Sequence, residues 1–342
     1  MEKIKTTKKE NIIGHKEKIT KVIVMIPAYN EEATIGKVIR DIKEIGRNDF
    51  NKIEVLVVND GSTDNTIRVS KEAEADHLFS HKNNLGLGMT FKDGINEALK
   101  HGADIIVNID ADGQFNPKDI PRLLQPILEN KADMVTCSRF KDPALVPKMP
   151  GIKIFGNKFF ARIINSFLNK SYTDTQCGFR AYSREAALHL TLFGKYTYTQ
   201  EVFIDLVKKG FRIVEVPCAV IGERNGKSRV VSNIFSYGLK VSLILLRSMR
   251  DYEPLKFFGL SGFILFMMGL LSSLILFIRF LFVGKYDPYM SVIYINIFVI
   301  IVGFLFIVLG LIADMLDRNR QLQEEILYKM KKKECENKLR EL

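Results

Sequence analysis

Asp110 and Asp112 stand one residue apart in Asn108-Ile109-Asp110-Ala111-Asp112-Gly113-Gln114-Phe115, directly after the apolar run Ile105-Ile106-Val107. The run reads as a buried parallel strand that ends in carboxylates. By strand alternation, Asp110, Asp112 and Gln114 leave that end on the same side. Two carboxylates so close repel unless a cation sits between them. Hard oxygen donors suit Mg2+ or Mn2+, ions that also take phosphate oxygens. The pattern points to a metal–diphosphate site at the carboxyl ends of the strands, where open α/β sheets bind their ligands. An acidic turn with no ligand is the alternative that these residues alone leave open.

Cations follow downstream. Arg139 lies in Ser138-Arg139-Phe140, Arg180 ends Asp174-Thr175-Gln176-Cys177-Gly178-Phe179-Arg180, and Arg224, Lys227 and Arg229 crowd into one short segment. Bringing two phosphate groups together requires several positive charges, and arginine offers a planar fork to each. A solvated basic surface is the plainer reading of such residues. With the acidic turn upstream, phosphate binding is preferred for Arg139 and Arg229. Arg180 serves equally well as an ion-pair partner of Asp174.

The elements that must position these groups alternate. Apolar strands are expected at 21–26, 53–58, 77–80 and up to Val107, with helices at about 33–45, after 62–64, and from Gly88 to about 100. Ser62, Thr63 or Asp64 can cap the second helix. Strand–helix alternation implies a mostly parallel sheet with helices on both faces, its polar and glycine-rich strand-end loops meeting at one edge. Gly86-Leu87-Gly88 lacks the third glycine of a dinucleotide fingerprint, and no Walker A lysine pattern occurs.

Four motifs then occur in order: Pro27-Ala28-Tyr29-Asn30-Glu31, Asn59-Asp60-Gly61-Ser62-Thr63-Asp64, Asn84-Leu85-Gly86 and Asp110-Ala111-Asp112-Gly113-Gln114. Together they resemble the nucleotide-sugar half of the inverting family-2 glycosyltransferases, whose fold is called GT-A. The series Ser138-Arg139-Phe140, Asp174 to Arg180, Glu201 and Arg224 to Arg229 is similar to that of the dolichyl- and polyprenyl-phosphate sugar synthases. The resemblance implies that Pro27, Tyr29, Glu31, Val58 and Asp60 bind the base and ribose. It implies that Asp110, Ala111, Asp112 and Gln114 bind the diphosphate through a metal held by Asp110, Asp112 and Gln114. Arg139, Arg224 and Arg229 would complete the donor site, with Asp112 and Arg139 catalytic. Arg139, Lys153 and Lys158 would face the acceptor phosphate, with Arg162 close by. Tyr29 as a packed aromatic at a strand end remains an alternative to base contact.

The expected activity is transfer of one sugar from a nucleotide sugar to dolichyl or polyprenyl phosphate with inversion. GDP-mannose is the first donor considered, then UDP-glucose and UDP-N-acetylglucosamine. The acceptor phosphate is already an anion, so no strong base is needed. Transfer to another membrane lipid, such as diacylglycerol, would need one, and Asp174 or Glu201 could serve. A non-catalytic membrane scaffold is the reading from another class, and the intact Asp110-Ala111-Asp112 speaks against it. The chain has no tryptophan, so it lacks the Gln-x-x-Arg-Trp motif of processive polysaccharide synthases.

Composition sets the rest. The 342 residues are 47% hydrophobic and 26% charged, with net charge +11. No nucleic-acid motif accompanies that charge. Much of it flanks the apolar segments, where anionic lipid is the natural partner. Cys137, Cys177, Cys218 and Cys335 are scattered, which suggests neither zinc site nor disulfide framework and fits a reducing compartment. The first twenty residues carry no apolar signal-peptide core. The expected organisation is a polar tail over 1–20, a GT-A domain over 21–229, an interfacial amphipathic helix over 230–254, two transmembrane helices within 255–315, and a charged helix over 316–342. A core helix under the sheet is the alternative at 230–250. Uncharged stretches at 257–278 and 290–313 are each long enough to span. The lysines and arginines outside them put both termini and the catalytic domain in the cytoplasm. The charged C-terminal helix either pairs with a second copy, making a homo-oligomer with the spans, or stays solvated.

Overall fold

The computed structural model describes residues 20–48, 52–147, 151–192, 198–221, 243 and 246–341. Seven strands form one sheet: β1 (Lys21–Ala28), β2 (Lys52–Asn59), β3 (His77–Ser80), β4 (Ile105–Asn108), β5 (Met134–Ser138), β6 (Arg180–Ser183) and β7 (Ile213–Pro217). Their order across the sheet is β3-β2-β1-β4-β6-β5-β7. β1 to β4 pair in parallel, β6 runs antiparallel between β4 and β5, and β7 is parallel to β5. The sheet is thus mostly parallel, and the first four strands end at one edge as expected. β1 extends past the apolar run, because Pro27 and Ala28 remain in register with Val58 and Asn59.

The alternation of β1 divides the core. Val22, Val24 and Ile26 pack with Ile35, Ile39 and Ile42 of α1 (Ile35–Asn48) and with Leu123 and Leu124 of α4 (Ile120–Leu128). Ile23 and Met25 pack on the other face. Their partners are Phe91 and Ile95 of α3 (Leu87–Lys100), Ile164 of α5 (Gly151–Leu168), Ala186 of α6 (Arg184–His189) and Phe203 of α7 (Thr199–Lys208). With both faces covered, the strands are apolar throughout. α1 starts two residues later than expected, because Glu31 O accepts from both Thr34 N and Ile35 N in a preceding turn. At the start of α2 (Thr66–Glu72), Asp64 Oδ1 accepts from Thr66 N at 3.0 Å.

A π-helical turn (Leu255–Leu260) leads into α8 (Ser261–Val283), and α9 runs from Met290 to Glu341 without a break. Both are long and apolar enough to cross a membrane. They cross closely at glycines: a Cβ on Gly303 would come within 2.5 Å of Phe266 N, and one on Gly262 within 2.7 Å of Gly303 O. Small residues that let backbones meet in this way are how spans associate where no hydrophobic force separates helix from lipid. Arg279 reaches outward to the connecting turn, 4.4 Å over the Tyr289 ring.

Two expectations are corrected here. The charged helix expected over 316–342 is not a separate element, since residues 316–341 continue α9, and this charged arm is not solvated all round. It docks on the sheet domain of its own chain. Glu324 pairs with Lys209 at 3.2 Å, Lys331 donates to Leu190 O at 2.9 Å, and Tyr328 stacks on His189 at 4.0 Å. Cys335 is buried in the core beside α3 and α6. Tyr252, just before the first apolar helix, joins the same junction by donating to Asp205 Oδ1 at 2.8 Å beneath Arg320. The docking face differs from the apolar residues Leu322 and Ile326, which stay exposed. The second correction concerns the cysteines. Cys137 and Cys218 form a disulfide, 81 residues apart in sequence with Cα atoms 5.5 Å apart. No spacing pattern announces it, since it depends on β5 and β7 lying side by side. Cys177 and Cys335 are free thiols.

Candidate active site

Three strand-end loops are locked together at the carboxyl edge of the sheet. After β1, Asn30 N donates to Ser62 Oγ at 3.0 Å and Glu31 N to Thr66 Oγ1 at 2.9 Å. The loop after β2 answers, with Thr63 N donating to Asn30 Oδ1 at 2.8 Å and Asn65 N to Glu32 Oε2 at 2.8 Å. Asn30 sits at φ 54°, a left-handed conformation that asparagine tolerates. Asp60 is buried at 4% exposure and accepts from Leu85 N at 2.8 Å and Gly86 N at 2.9 Å, while His81 Nδ1 lies 2.9 Å from its Oδ1. It thereby holds the Asn84-Leu85-Gly86 loop against β2. Gly61 is required where these loops meet, because a Cβ there would fall 2.5 Å from the Asn83 carbonyl carbon. Pro27 and Val58 are paired neighbours on β1 and β2, so the first three motifs share one edge.

The acidic turn sits beside them. β4 ends at Asn108, Ile109 N still donates to Met25 O at 3.1 Å, and the chain then bends. Asp112 Oδ1 accepts from Gln114 N at 3.1 Å, with Gly113 at φ 71°. Asp110 and Asp112 therefore lie in a turn beyond the strand end, where strand alternation no longer sets their direction. Gln114 and Phe115 are fixed from the far side: Ile221 N donates to Gln114 O at 2.7 Å, and Phe115 bridges to Val220. Gly178 stands against Asp110, where a Cβ would lie 3.2 Å from Asp110 Oδ2. This donor set of hard carboxylate oxygens suits a divalent cation such as Mg2+ or Mn2+. Among the described residues no group of three or more His, Cys, Asp or Glu side chains gathers. A metal here would need further ligands from phosphate or water, as Mg2+ sites ordinarily do.

The arginine is within electrostatic reach of Asp110. Arg139 Nε and Nη2 donate to Asp174 Oδ2 and Oδ1 at 2.6 and 2.9 Å, a bidentate pair on a fully buried carboxylate. Burial disfavours the Arg139 cation, but the Asp174 charge beside it, with smaller help from Cys177 and Asp110, outweighs that and raises its pKa. Asp174 is supported in turn by Glu215, whose Oε1 accepts from Thr173 N at 2.8 Å and Asp174 N at 2.9 Å. Burial pushes the Glu215 carboxyl up. Asp174 is thus committed to Arg139 and poorly placed to act as a base.

Arg180 is not the partner of Asp174. It is fully buried in β6, donating to Thr199 O at 2.9 Å and Thr175 O at 3.0 Å, with its guanidinium 4.8 Å over the Phe203 ring. Lys158 and Arg162 are exposed on α5, and Glu201 opens α7. Arg224, Lys227, Arg229, the Lys153 side chain and most of 230–250 lie outside the described residues. Sequence reading missed the layer beneath Asp110. Asn108 Nδ2 donates to Gly178 O and to Tyr198 Oη, both at 2.8 Å, and the Tyr198 ring stacks on Phe91 at 3.7 Å. Burial, and after it the Asp110 charge, hold the Tyr198 phenol well above its ordinary pKa. A polar residue closing the Ile105–Val107 run was the visible signal for Asn108. Tyr198 had none.

The family model described as glycosyl transferase family 2 matches residues 23–191. The UDP-N-acetylglucosamine–dolichyl-phosphate N-acetylglucosaminyltransferase of Methanococcus voltae is 31% identical over 247 residues, which are 66% of this chain and 96% of that protein. The polyprenol monophosphomannose synthase of Mycolicibacterium smegmatis is 27% identical over 68% of this chain and 89% of its own. Among solved structures, glucosyl-3-phosphoglycerate synthase from Mycobacterium tuberculosis, in complex with Mn2+, UDP and glucosyl-3-phosphoglycerate, shares the GT-A fold. Its TM-score is 0.53 at 23% identity, over 67% of this chain and 80% of that one. With its strand-end motifs in register on that fold and relatives matched along nearly their whole length, the chain belongs to glycosyl transferase family 2.

Proposed function

We propose that this glycosyltransferase moves one sugar from a nucleotide sugar to the phosphate of a membrane polyprenol, inverting the anomeric centre. The observation that carries the reading is the Arg139–Asp174 pair. It keeps a cation beside the acidic turn, in a chain that also carries two apolar helices long enough to span. The names of the two relatives above support the acceptor class.

Asp110, Asp112 and the neutral oxygen of Gln114 would hold Mg2+ or Mn2+. That ion would neutralise the leaving diphosphate as a Lewis acid. Pro27, Tyr29, Glu31, Val58 and Asp60 line the edge where base and ribose would sit, with Ala111 under the diphosphate. Arg139 presents the guanidinium nitrogen not taken by Asp174 to the acceptor phosphate, with Lys153 and Lys158 next to it in sequence order. Arg224 and Arg229 close on the donor. The acceptor attacks as the anion it already is, so catalysis rests on positioning and charge compensation. The catalytic domain and both termini lie on the cytoplasmic side, because lysine and arginine crowd outside the spans and the turn between them carries only Lys285.

The donor is the finer question. Likeness to the Methanococcus voltae enzyme puts UDP-N-acetylglucosamine ahead of GDP-mannose, with UDP-glucose third. The test is a panel of these three labelled donors with polyprenyl phosphate in nanodiscs. Label should enter the lipid with one of them. Label appearing on diacylglycerol instead, or in no lipid at all, would overturn the proposal.

A further inference from the structure

Tyr198 is buried at 1% exposure at the start of α7 and takes no part in the reaction as proposed. Its surroundings fix the direction of its hydrogen bonds. Gly178 O can only accept, so the Asn108 amide must turn Nδ2 towards it, at 2.8 Å. The other Nδ2 hydrogen then goes to Tyr198 Oη, also at 2.8 Å. The Tyr198 oxygen is therefore an acceptor from Asn108, and its own hydrogen is left to donate. The anion beside it is Asp110. A Cβ on Gly178 would lie 3.1 Å from Tyr198 Oη and 3.2 Å from Asp110 Oδ2, so both groups stand against the same glycine and a side chain there would press on each. The ring cannot swing away, being stacked on Phe91 with an interplanar angle of 5°. Asn108 accepts a cost for this arrangement, since its buried Oδ1 makes no hydrogen bond among the described residues.

We infer that Tyr198 is a positioning residue whose hydroxyl, oriented by Asn108, holds the Asp110 carboxylate in the attitude needed to bind the metal. The inference rests on the proposed metal role of Asp110. Partners that orient a ligating carboxylate typically change metal affinity by about tenfold or more when removed.

The experiment is Mn2+ titration by electron paramagnetic resonance on the full chain in detergent, with nucleoside diphosphate present. It compares wild type, Asp110→Asn, Tyr198→Phe and Gly178→Ala. Tyr198→Phe keeps the stacked ring and removes only the hydroxyl. Gly178→Ala keeps the hydroxyl and presses a methyl against both it and Asp110, 3.1 and 3.2 Å away. Both should weaken Mn2+ about tenfold, and Asp110→Asn should weaken it further. Should either variant fail to fold, the other decides. If Asp110→Asn abolishes binding while Tyr198→Phe or Gly178→Ala binds Mn2+ like wild type, the positioning role is wrong and the metal site stands. If Asp110→Asn itself binds like wild type, the metal reading falls and takes this inference with it. A lowered melting temperature with unchanged Mn2+ affinity would mark Tyr198 as structural only.

Discussion

Arg139→Lys separates the two duties of one side chain. Two guanidinium nitrogens, Nε and Nη2, are held by Asp174 at 2.6 and 2.9 Å. That leaves one edge of the fork for an incoming phosphate. Lysine has a single nitrogen for both tasks. Asp174 is fully buried, so leaving it unpaired would be far more costly than losing a solvated phosphate contact. The lysine ammonium should therefore stay with Asp174, and the phosphate should lose its donor. One charge-assisted hydrogen bond is worth about 1.5–3 kcal/mol, or roughly ten- to a hundredfold in kcat/KM for polyprenyl phosphate. Stability should fall by about 1.5–3 kcal/mol in Arg139→Lys, which keeps one of the two bonds to the buried Asp174. In Arg139→Ala it should fall by about 3–5 kcal/mol, because a buried carboxylate loses its cation. Steady-state kinetics in nanodiscs, nucleotide binding and denaturant midpoints measure the three quantities. Wild-type kcat/KM in Arg139→Lys would refute the reasoning. Nucleotide affinity falling as steeply as acceptor turnover would move Arg139 to the donor and leave the acceptor phosphate to Lys153, Lys158 and Arg162.

Three further outcomes are expected. Asp112→Ala should abolish transfer in a folded protein, and full activity after EDTA treatment would contradict a metal role. In a background with Cys335 replaced by serine, a cysteine at Asp287 should react with an impermeant label from outside the cell, and one at Lys332 only after permeabilisation; the reverse pattern inverts the topology. Burial alone would push the Glu54 carboxyl up, but hydrogen bonds from Lys21, Lys52 and His77 outweigh it and hold the pKa at about 2. A depressed carboxylate stabilises the fold above its unfolded pKa, and that contribution is lost as pH falls towards the folded one. Glu54→Gln should thus lower the denaturation midpoint at pH 7, and the gap to wild type should narrow as pH falls from about 4.5 towards 2. A gap that stays constant over that range would contradict the ion cluster.

Much of the first half of the fold was legible because each apolar run is short and ends in a polar loop. That pattern yields parallel strands whose loops share an edge, and the locked Asn30–Thr63 and Asp60–Gly86 contacts are its consequence. The acidic turn was legible for its composition but not for its geometry, since a strand that stops at Asn108 ends the alternation. Contacts between distant segments were not legible. Asp174 could have paired with Arg139 or Arg180, and the choice is made by β6, which runs antiparallel and turns Arg180 into the core. An arginine bonded to backbone carbonyls and roofed by an aromatic ring looks in sequence like any surface cation. The docking face of α9 was hidden for a related reason. Tyr328, Lys331 and Cys335 occupy one side of a helix whose overall charge suggests solvent.

The unbroken course of α9 has a consequence for how the enzyme meets its substrates. Its 52 residues, at about 1.5 Å each, make a rod of roughly 78 Å. Rather less than half is apolar and long enough to cross a bilayer, and the charged remainder docks on the catalytic domain. A domain on a flexible tether would have to find its orientation to the lipid surface afresh at each encounter, losing rotational freedom every time. Here that freedom is surrendered once, during folding, through the contacts of Glu324, Tyr328 and Lys331. With an acceptor held in the bilayer, as proposed, only a search in two dimensions would remain, while the nucleotide sugar would arrive from the third.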